Sequence, residues 1–599
     1  MTAKTLARWA SFVVGAGFGA ALIGGVGCGS KTGSDFSDGT TASDGGNSFG
    51  KSDGGLSGDG SVSSDLECSG DLQSVISKST GAVVSTCPPD QGCAGGKCVA
   101  ACSAAAASHG SIGCDFMVAT PSFYPGETSP CFAVFIANDW SKPVTITVQR
   151  DGTSYDVTTF GRIATAGSPE SAWPTIPATG LPNGQVGVLF MSGDSSAIVK
   201  CPVADAIPSS TAITGTGTGK AWHVVTDVPV SGYDILPYGG ASSYLPSAEL
   251  LLPTTAWGTN YFGIVPLRGT ANSSEGPQWG QIVGTTDGTT VQVAPNVNLP
   301  AGTGVAAAPQ GATTSYTLNA GDVVQWQDSN EMSGTVISSD KPIGFTGGLG
   351  YDCYKSATST GGGCDSAHQQ IPPLSAFGSL YVAPPYATRR MDMAAESIPY
   401  RIVAAVDGTT FTYDPPISGA PPTLAAGAVG DFEATTAFVV KSQDNAHPFY
   451  VGQIMTGCYV TSGSRNGSCL GDEEYVNILP PAQFLTKYIF FTDSTYNTTN
   501  LVFTRVKTPQ GFQDVKLDCA GTLTGWTPVD AADTYEVTNI DIQRANTPNG
   551  ACKNGPQTAS SPGPFGLMVW GEDEAASYAY PAGGNVAPIN AVVVPPTPR

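Results

Sequence analysis

Residue types able to do chemistry are sparse in this 599-residue sequence. Its four histidines, His109, His223, His368 and His447, never stand in an H-E-x-x-H pattern, and no Walker or dinucleotide fingerprint occurs. Cys364 and His368 have a spacing that a zinc ion could use, but Cys353 is the better partner for Cys364, as a disulfide. Two G-x-S-x-G matches, Gly46 to Gly50 and Gly50 to Gly54, fall in a Gly/Ser/Asp stretch that cannot form the strand-turn-helix elbow a nucleophilic serine needs. Paired carboxylates, the machinery of glycosidases, have two candidate sources: Asp472-Glu473-Glu474 and Glu572-Asp573-Glu574. The plainer reading of both is a solvated acidic loop or a weak calcium site, and neither has the order of an EF-hand. No catalytic residue, cofactor or metal is assigned on these grounds.

One cysteine suggests a different chemistry. Residues 1–27 comprise a basic start with Lys4 and Arg8, an apolar run from Phe12 to Val26, and small residues leading to Cys28, the pattern of an export signal. The apolar run is Gly-rich and shorter than the roughly 20 residues that cross a bilayer as a helix. Gly25-Val26-Gly27-Cys28 resembles the bacterial lipobox, although Gly25 stands where leucine is usual. That resemblance implies a diacylglycerol on the Cys28 thiol and cleavage just before it. Setting Cys28 aside from the 15 cysteines leaves an even number, which an oxidising compartment can pair completely. Residues 28–66 are predominantly Gly, Ser and Asp, too poor in apolar side chains to fold, and are expected to form a tether with a reach of about 30 to 35 Å. The expectation is an exported protein, lipid-anchored at the cell envelope. Gly29 rather than aspartate after the cysteine points to the outer membrane, with display at the surface.

Composition narrows the partners. The net charge of −22 leaves no basic surface for nucleic acid, and membrane contact is expected through the lipid alone. Charged residues make up only 12%, too few to solvate the outer faces of long helices, whereas 76 glycines and 45 prolines punctuate the chain.

The elements that must position any site are therefore strands. Residues 67–114 hold Cys68, Cys87, Cys93, Cys98, Cys102 and Cys114 and read as a small disulfide-stapled module. Beyond it, β-rich runs flank Asp-Gly pairs at Asp151-Gly152, Asp287-Gly288 and Asp407-Gly408, a hairpin signature. Proline anchors recur at Asp227-Val228-Pro229, Asp340-Lys341-Pro342 and Asp444 through Pro448. A proline-containing link follows each, and then an aromatic with a tyrosine four residues on: Trp257 and Tyr261, Phe377 and Tyr381, Phe484 and Tyr488. Packing and turn formation explain these residues without a ligand. The cysteines keep the same period, so that Cys353 with Cys364 and Cys458 with Cys469 each close a loop, Cys519 pairs with Cys552 in a last copy, and Cys131 pairs with Cys201 in the first module. The expected fold is all-β: repeated antiparallel β-sheet modules braced by disulfides, with propeller-like sheets favoured over tandem β-sandwiches. A first β module spans 115–219, the repeats 220–590 and a tail 591–599.

The phrases SSDKPIGFTGG, CDSAHQQIPPLSAFGSLYVAPP and YRIVAAVDGTTFTYDPP resemble the IgGFc-binding protein N-terminal domain. The matching elements are Ser339 to Pro342, Cys364-Asp365, Gln370 to Pro373, Phe377-Gly378 and Tyr381, within residues 220 to 585. The resemblance implies a secreted or surface-displayed binding module without known catalysis, and does not extend to immunoglobulin as ligand. The expected function is a surface-anchored, non-enzymatic binding or adhesion protein presenting β-repeat loops to an extracellular protein or glycan. The rivals are an exported carbohydrate-active enzyme using paired carboxylates and a purely structural envelope protein.

Overall fold

A computed structural model describes residues 65–124, 127–243, 245–269 and 276–597. Cys28, the signal segment and nearly all of the tether lie outside the described residues. The cysteine-rich module opens the described chain with a three-stranded antiparallel sheet (Leu66–Cys68, Ser74–Ser77, Val83–Thr86) and a hairpin (Gln91–Ala94, Lys97–Ala100). Disulfides Cys68–Cys93, Cys87–Cys98 and Cys102–Cys114 staple it, the last tying the alanine-rich helix Ala101–Ser108 to the strand that follows. So small a unit buries little apolar surface, and cross-links supply what its core cannot.

Four β modules follow, all built on one plan. Each has a long strand with a proline bend near its middle. The first long strand, Trp222–Leu236, pairs its leading half with Ile146–Arg150 and Ile112–Val118 and its trailing half with Phe132–Asn138 and Ser247–Leu251. Pro229 has no N–H to give a ladder, so pairing lapses there and the strand changes partners. The second, Thr335–Leu349, turns at Pro342; the fourth, Gly555–Asp573, turns at Pro562 and Pro564. In the third module the bend is a complete break, between Phe438–Ser442 and Phe449–Met455. In the first, second and fourth modules one sheet of eight, eight and nine strands thus curls about its long strand, whereas the third divides into two four-stranded sheets. The expected all-β fold of antiparallel sheets braced by disulfides is present, and the curled sheets give no support to the propeller-like arrangement.

The repeated tyrosines act on this bend. Tyr261 donates its hydroxyl to the carbonyl of Ile343 and Tyr381 to that of Phe449, 2.7 and 2.6 Å away, and Tyr488 does the same to Phe565. In every case the acceptor is the residue just past the bend proline. The same hydroxyl accepts the N–H of Gly258, Gly378 or Leu485 at the start of its own strand, so one side chain satisfies two backbone groups that the bend would leave unpaired. The preceding aromatic packs where a side chain is missing: a Cβ on Gly344 would meet the Trp257 ring, and one on Gly566 the Phe484 ring, both at 2.6 Å.

One expected boundary needs correction. The first module runs from Ile112 to Leu251, because Trp222–Leu236 is its long strand; a boundary at residue 219 would sever that strand from the strands it pairs with. Within the stretch read as a tail, Val594 is buried in the second module and exchanges backbone hydrogen bonds with the Asn260 side chain. The hairpins differ too. Asp151 and Gly152 both have positive φ, as a two-residue turn requires, whereas Asp287 and Asp407 instead accept the amides of Ala320 and Ala426 in a neighbouring loop.

The strand following each long strand faces inward: Ser247–Leu251, Ala367–Ile371, Glu474–Asn477 and Ala576–Pro581. Each packs against two neighbours in a closed ring, and Ser247–Leu251 also touches Glu474–Asn477 across it. All their residues are buried, since both faces are covered, and this is where the polar groups of the interior collect.

Candidate binding face

At the end of the ring where the inner strands begin, the connections from the long strands meet and interlock. In the second module this connection is closed by Cys353–Cys364 and in the third by Cys458–Cys469. The two loops pair along their backbones: Cys458 and Tyr459 donate to Gly362 and Gly361, and Thr360 donates back to Tyr459. The third loop is joined to the fourth module through Gly471 to Asp573 and Ala575 to Cys469, and the second to the first module through the Ser366 hydroxyl to Leu245. The segment around residues 386–396 closes over them. Its Arg389, fully buried, pairs with Glu396 at 2.7 Å and donates to the Thr456 carbonyl at 2.8 Å, while Met391 N–H bonds Gly463. The other two pairs brace single modules, Cys131–Cys201 the first and Cys519–Cys552 the fourth.

Buried carboxylates hold this end together from beneath. Glu473 accepts the N–H of Tyr354 at 2.6 Å and of Cys364 at 2.8 Å, pinning both ends of the disulfide loop. Glu474 accepts from the Ser247 hydroxyl and from Ala579, and Ser247 accepts the His368 N–H, so one carboxylate network touches all four inner strands. Asp472, Glu473, Glu474 and Glu572 are 0 to 1 % exposed. The expectation of solvated acidic loops is therefore wrong for these four, and a polysaccharide cannot reach them to be cleaved. Of the two clusters only Asp573 and Glu574 approach the surface. Desolvation pushes the buried carboxyls up, Glu572 to about 7 despite Arg465 and Arg389 nearby. Glu473 and Glu474 are driven well above the usual range for the same reason.

The Cys364 and His368 pair separates as well. Cys364 lies in its disulfide, whereas His368 turns into the ring with Nε2 2.9 Å from Asp234 Oδ1. His223 lies 3.2 Å from Asp115 and His447 2.7 Å from Asp444, two partly exposed pairs in different modules.

The outer surface of the interlocked loops carries large apolar side chains in water. Met391 is 65 % exposed, Met393 58 % and Tyr459 56 %, on loops otherwise fixed by disulfides and buried charge. Rigid backbone beneath exposed aromatic and thioether side chains suits recognition, because little entropy remains to be lost on binding. Sequence reading placed the cysteines of this face but missed Met391, Met393 and Tyr459, which carry no periodic signal.

A family model described as IgGFc binding protein matches residues 247–571, more than half of the chain. The match opens on the inner strand of the first module and closes within the long strand of the fourth, so it takes in three of the four inner strands and both disulfide-closed loops, while the fourth inner strand, Ala576–Pro581, lies beyond it. No curated protein and no solved structure matches the chain.

Proposed function

The chain belongs to the IgGFc binding protein family, and from that premise we propose that it is an exported, non-enzymatic binding protein that takes an extracellular protein on the loop face bearing Tyr459, Met391 and Met393. The exposure of these three side chains carries the reading, Tyr459 on a disulfide-closed loop and Met391 and Met393 on the segment held by the buried Arg389–Glu396 pair. Tyrosine and methionine are enriched where proteins meet, and a few such anchors supply most of the affinity of an interface. A lipid anchor at Cys28 completes the proposal: it would hold the protein at the outer membrane.

Burial of Asp472, Glu473, Glu474 and Glu572 weighs against the alternative of an exported carbohydrate-active enzyme using those clusters. The test is capture from the natural surroundings by the full-length chain, run beside a glycan panel and an immunoglobulin Fc fragment as defined probes. A variant carrying Tyr459→Ala, Met391→Ala and Met393→Ala should fold normally and lose its captured protein by about tenfold or more. Undiminished capture by that variant would refute the assigned face.

A further inference from the structure

A second polar group lies in the ring. Asp234 and Glu249 stand directly opposite each other across the first module's long and inner strands, so their side chains share one face. His368 enters from the inner strand of the second module. One ligand atom from each of the three falls within 4.8 Å of the others. All are buried, at 0, 2 and 1 % exposure. Oδ2 of Asp234 and Oε2 of Glu249 have no hydrogen-bond partner, and among the described residues no lysine or arginine pairs with either carboxylate.

The fold does not require these groups. Asp234 is the fifth residue past the bend proline, and the same place in the other modules is held by Gly347, Gln453 and Val569. The residues opposite are Gln369, Val476 and Tyr580 in place of Glu249. Three modules close the same ring with neutral or apolar pairs, so two facing carboxylates in the first need a cause of their own. Two facing buried carboxyls can both ionise only beside a counter-ion.

We propose that Asp234, Glu249 and His368 bind one divalent transition-metal ion, zinc by their donor set, which cross-links the first and second modules inside the ring. Two carboxylates balance the dication and a neutral imidazole adds no charge, so the loaded site is neutral. An imidazole nitrogen beside two carboxylate oxygens suits zinc, whose four-coordinate shell a water or a second carboxylate oxygen can fill. Calcium and magnesium favour six or more oxygens or retained waters, which this donor set lacks. A group so enclosed takes up its ion during folding and binds it as a structural element.

The test uses the full-length chain, expressed with zinc in the medium and purified without chelator. Elemental analysis should find about one zinc per chain, and zinc-edge absorption spectroscopy a nitrogen/oxygen shell that includes imidazole. Asp234→Asn and His368→Gln, each verified as folded by circular dichroism, should fall below about a tenth of an equivalent. If neither variant folds, wild-type chain unfolded with chelator and its disulfides intact is refolded with zinc or with chelator; a higher melting temperature with zinc is expected. Wild-type chain free of zinc and manganese, or a folded variant that keeps its zinc, would overturn the assignment, as would equal melting temperatures after the two refoldings.

Discussion

The Tyr381 hydroxyl donates to the Phe449 carbonyl across 2.6 Å, one residue past Pro448. Tyr381→Phe removes that donor and also leaves the Gly378 N–H without its acceptor, both in buried surroundings. The substitution should cost about 1 to 3 kcal/mol with little change in volume. Denaturant unfolding with intact disulfides measures it, and a loss within experimental error would show that the hydroxyl does not secure the bend.

Glu572 gives the protein a pH dependence of definite sign. Burial pushes its folded carboxyl up to about 7 from the ordinary 4.5, so between those values the folded chain holds a proton that the unfolded chain has released. Stability is therefore undiminished by this group at pH 4 and falls as pH rises toward 7, by about 3 kcal/mol in total. Glu572→Gln keeps the shape and removes the titration, so its stability should decline less between pH 5 and 8. Parallel curves for wild type and variant would refute the shift.

Replacing Cys458 and Cys469 by serine frees the third loop from its closure. The loss should be about 2 to 4 kcal/mol of stability, accompanied by weaker capture of the partner because Tyr459 lies on that loop. Peptide mapping without reduction checks the pairing itself: Cys458 should be recovered with Cys469 and Cys353 with Cys364. A crossed linkage would contradict the repeat register.

Cys28 is tested by labelling. Cells fed tagged palmitate should label the wild-type chain, and Cys28→Ser should abolish the label and release the protein from membranes. Persistent labelling of the variant would place the lipid elsewhere or make the anchor wrong.

What could be read from the sequence was what short-range chemistry encodes. Asp340-Lys341-Pro342 marks a bend because proline cannot donate to a ladder, and Tyr381 four residues past Phe377 marks the strand that secures the next bend. The cysteine spacings located the loops crowning the ring. Burial of charge was illegible for the opposite reason. Asp472-Glu473-Glu474 looks solvated in isolation and becomes interior only when four modules close on one another, and Asp234 meets His368 across 134 positions of sequence. Asp234 and Glu249 each sit in an apolar run, Tyr233-Asp234-Ile235-Leu236 and Ala248-Glu249-Leu250-Leu251, a local conflict that is the one trace their site leaves in the sequence. Met391 and Met393 leave none, since exposed methionines in a loop obey no pattern.

The most direct test of the binding account compares the wild-type chain with the Tyr459→Ala, Met391→Ala, Met393→Ala variant in equilibrium binding to the protein that the wild type captures. The account predicts an affinity lower by about tenfold or more, with unchanged melting temperature. Equal affinities would contradict it and move the binding site off the loop face.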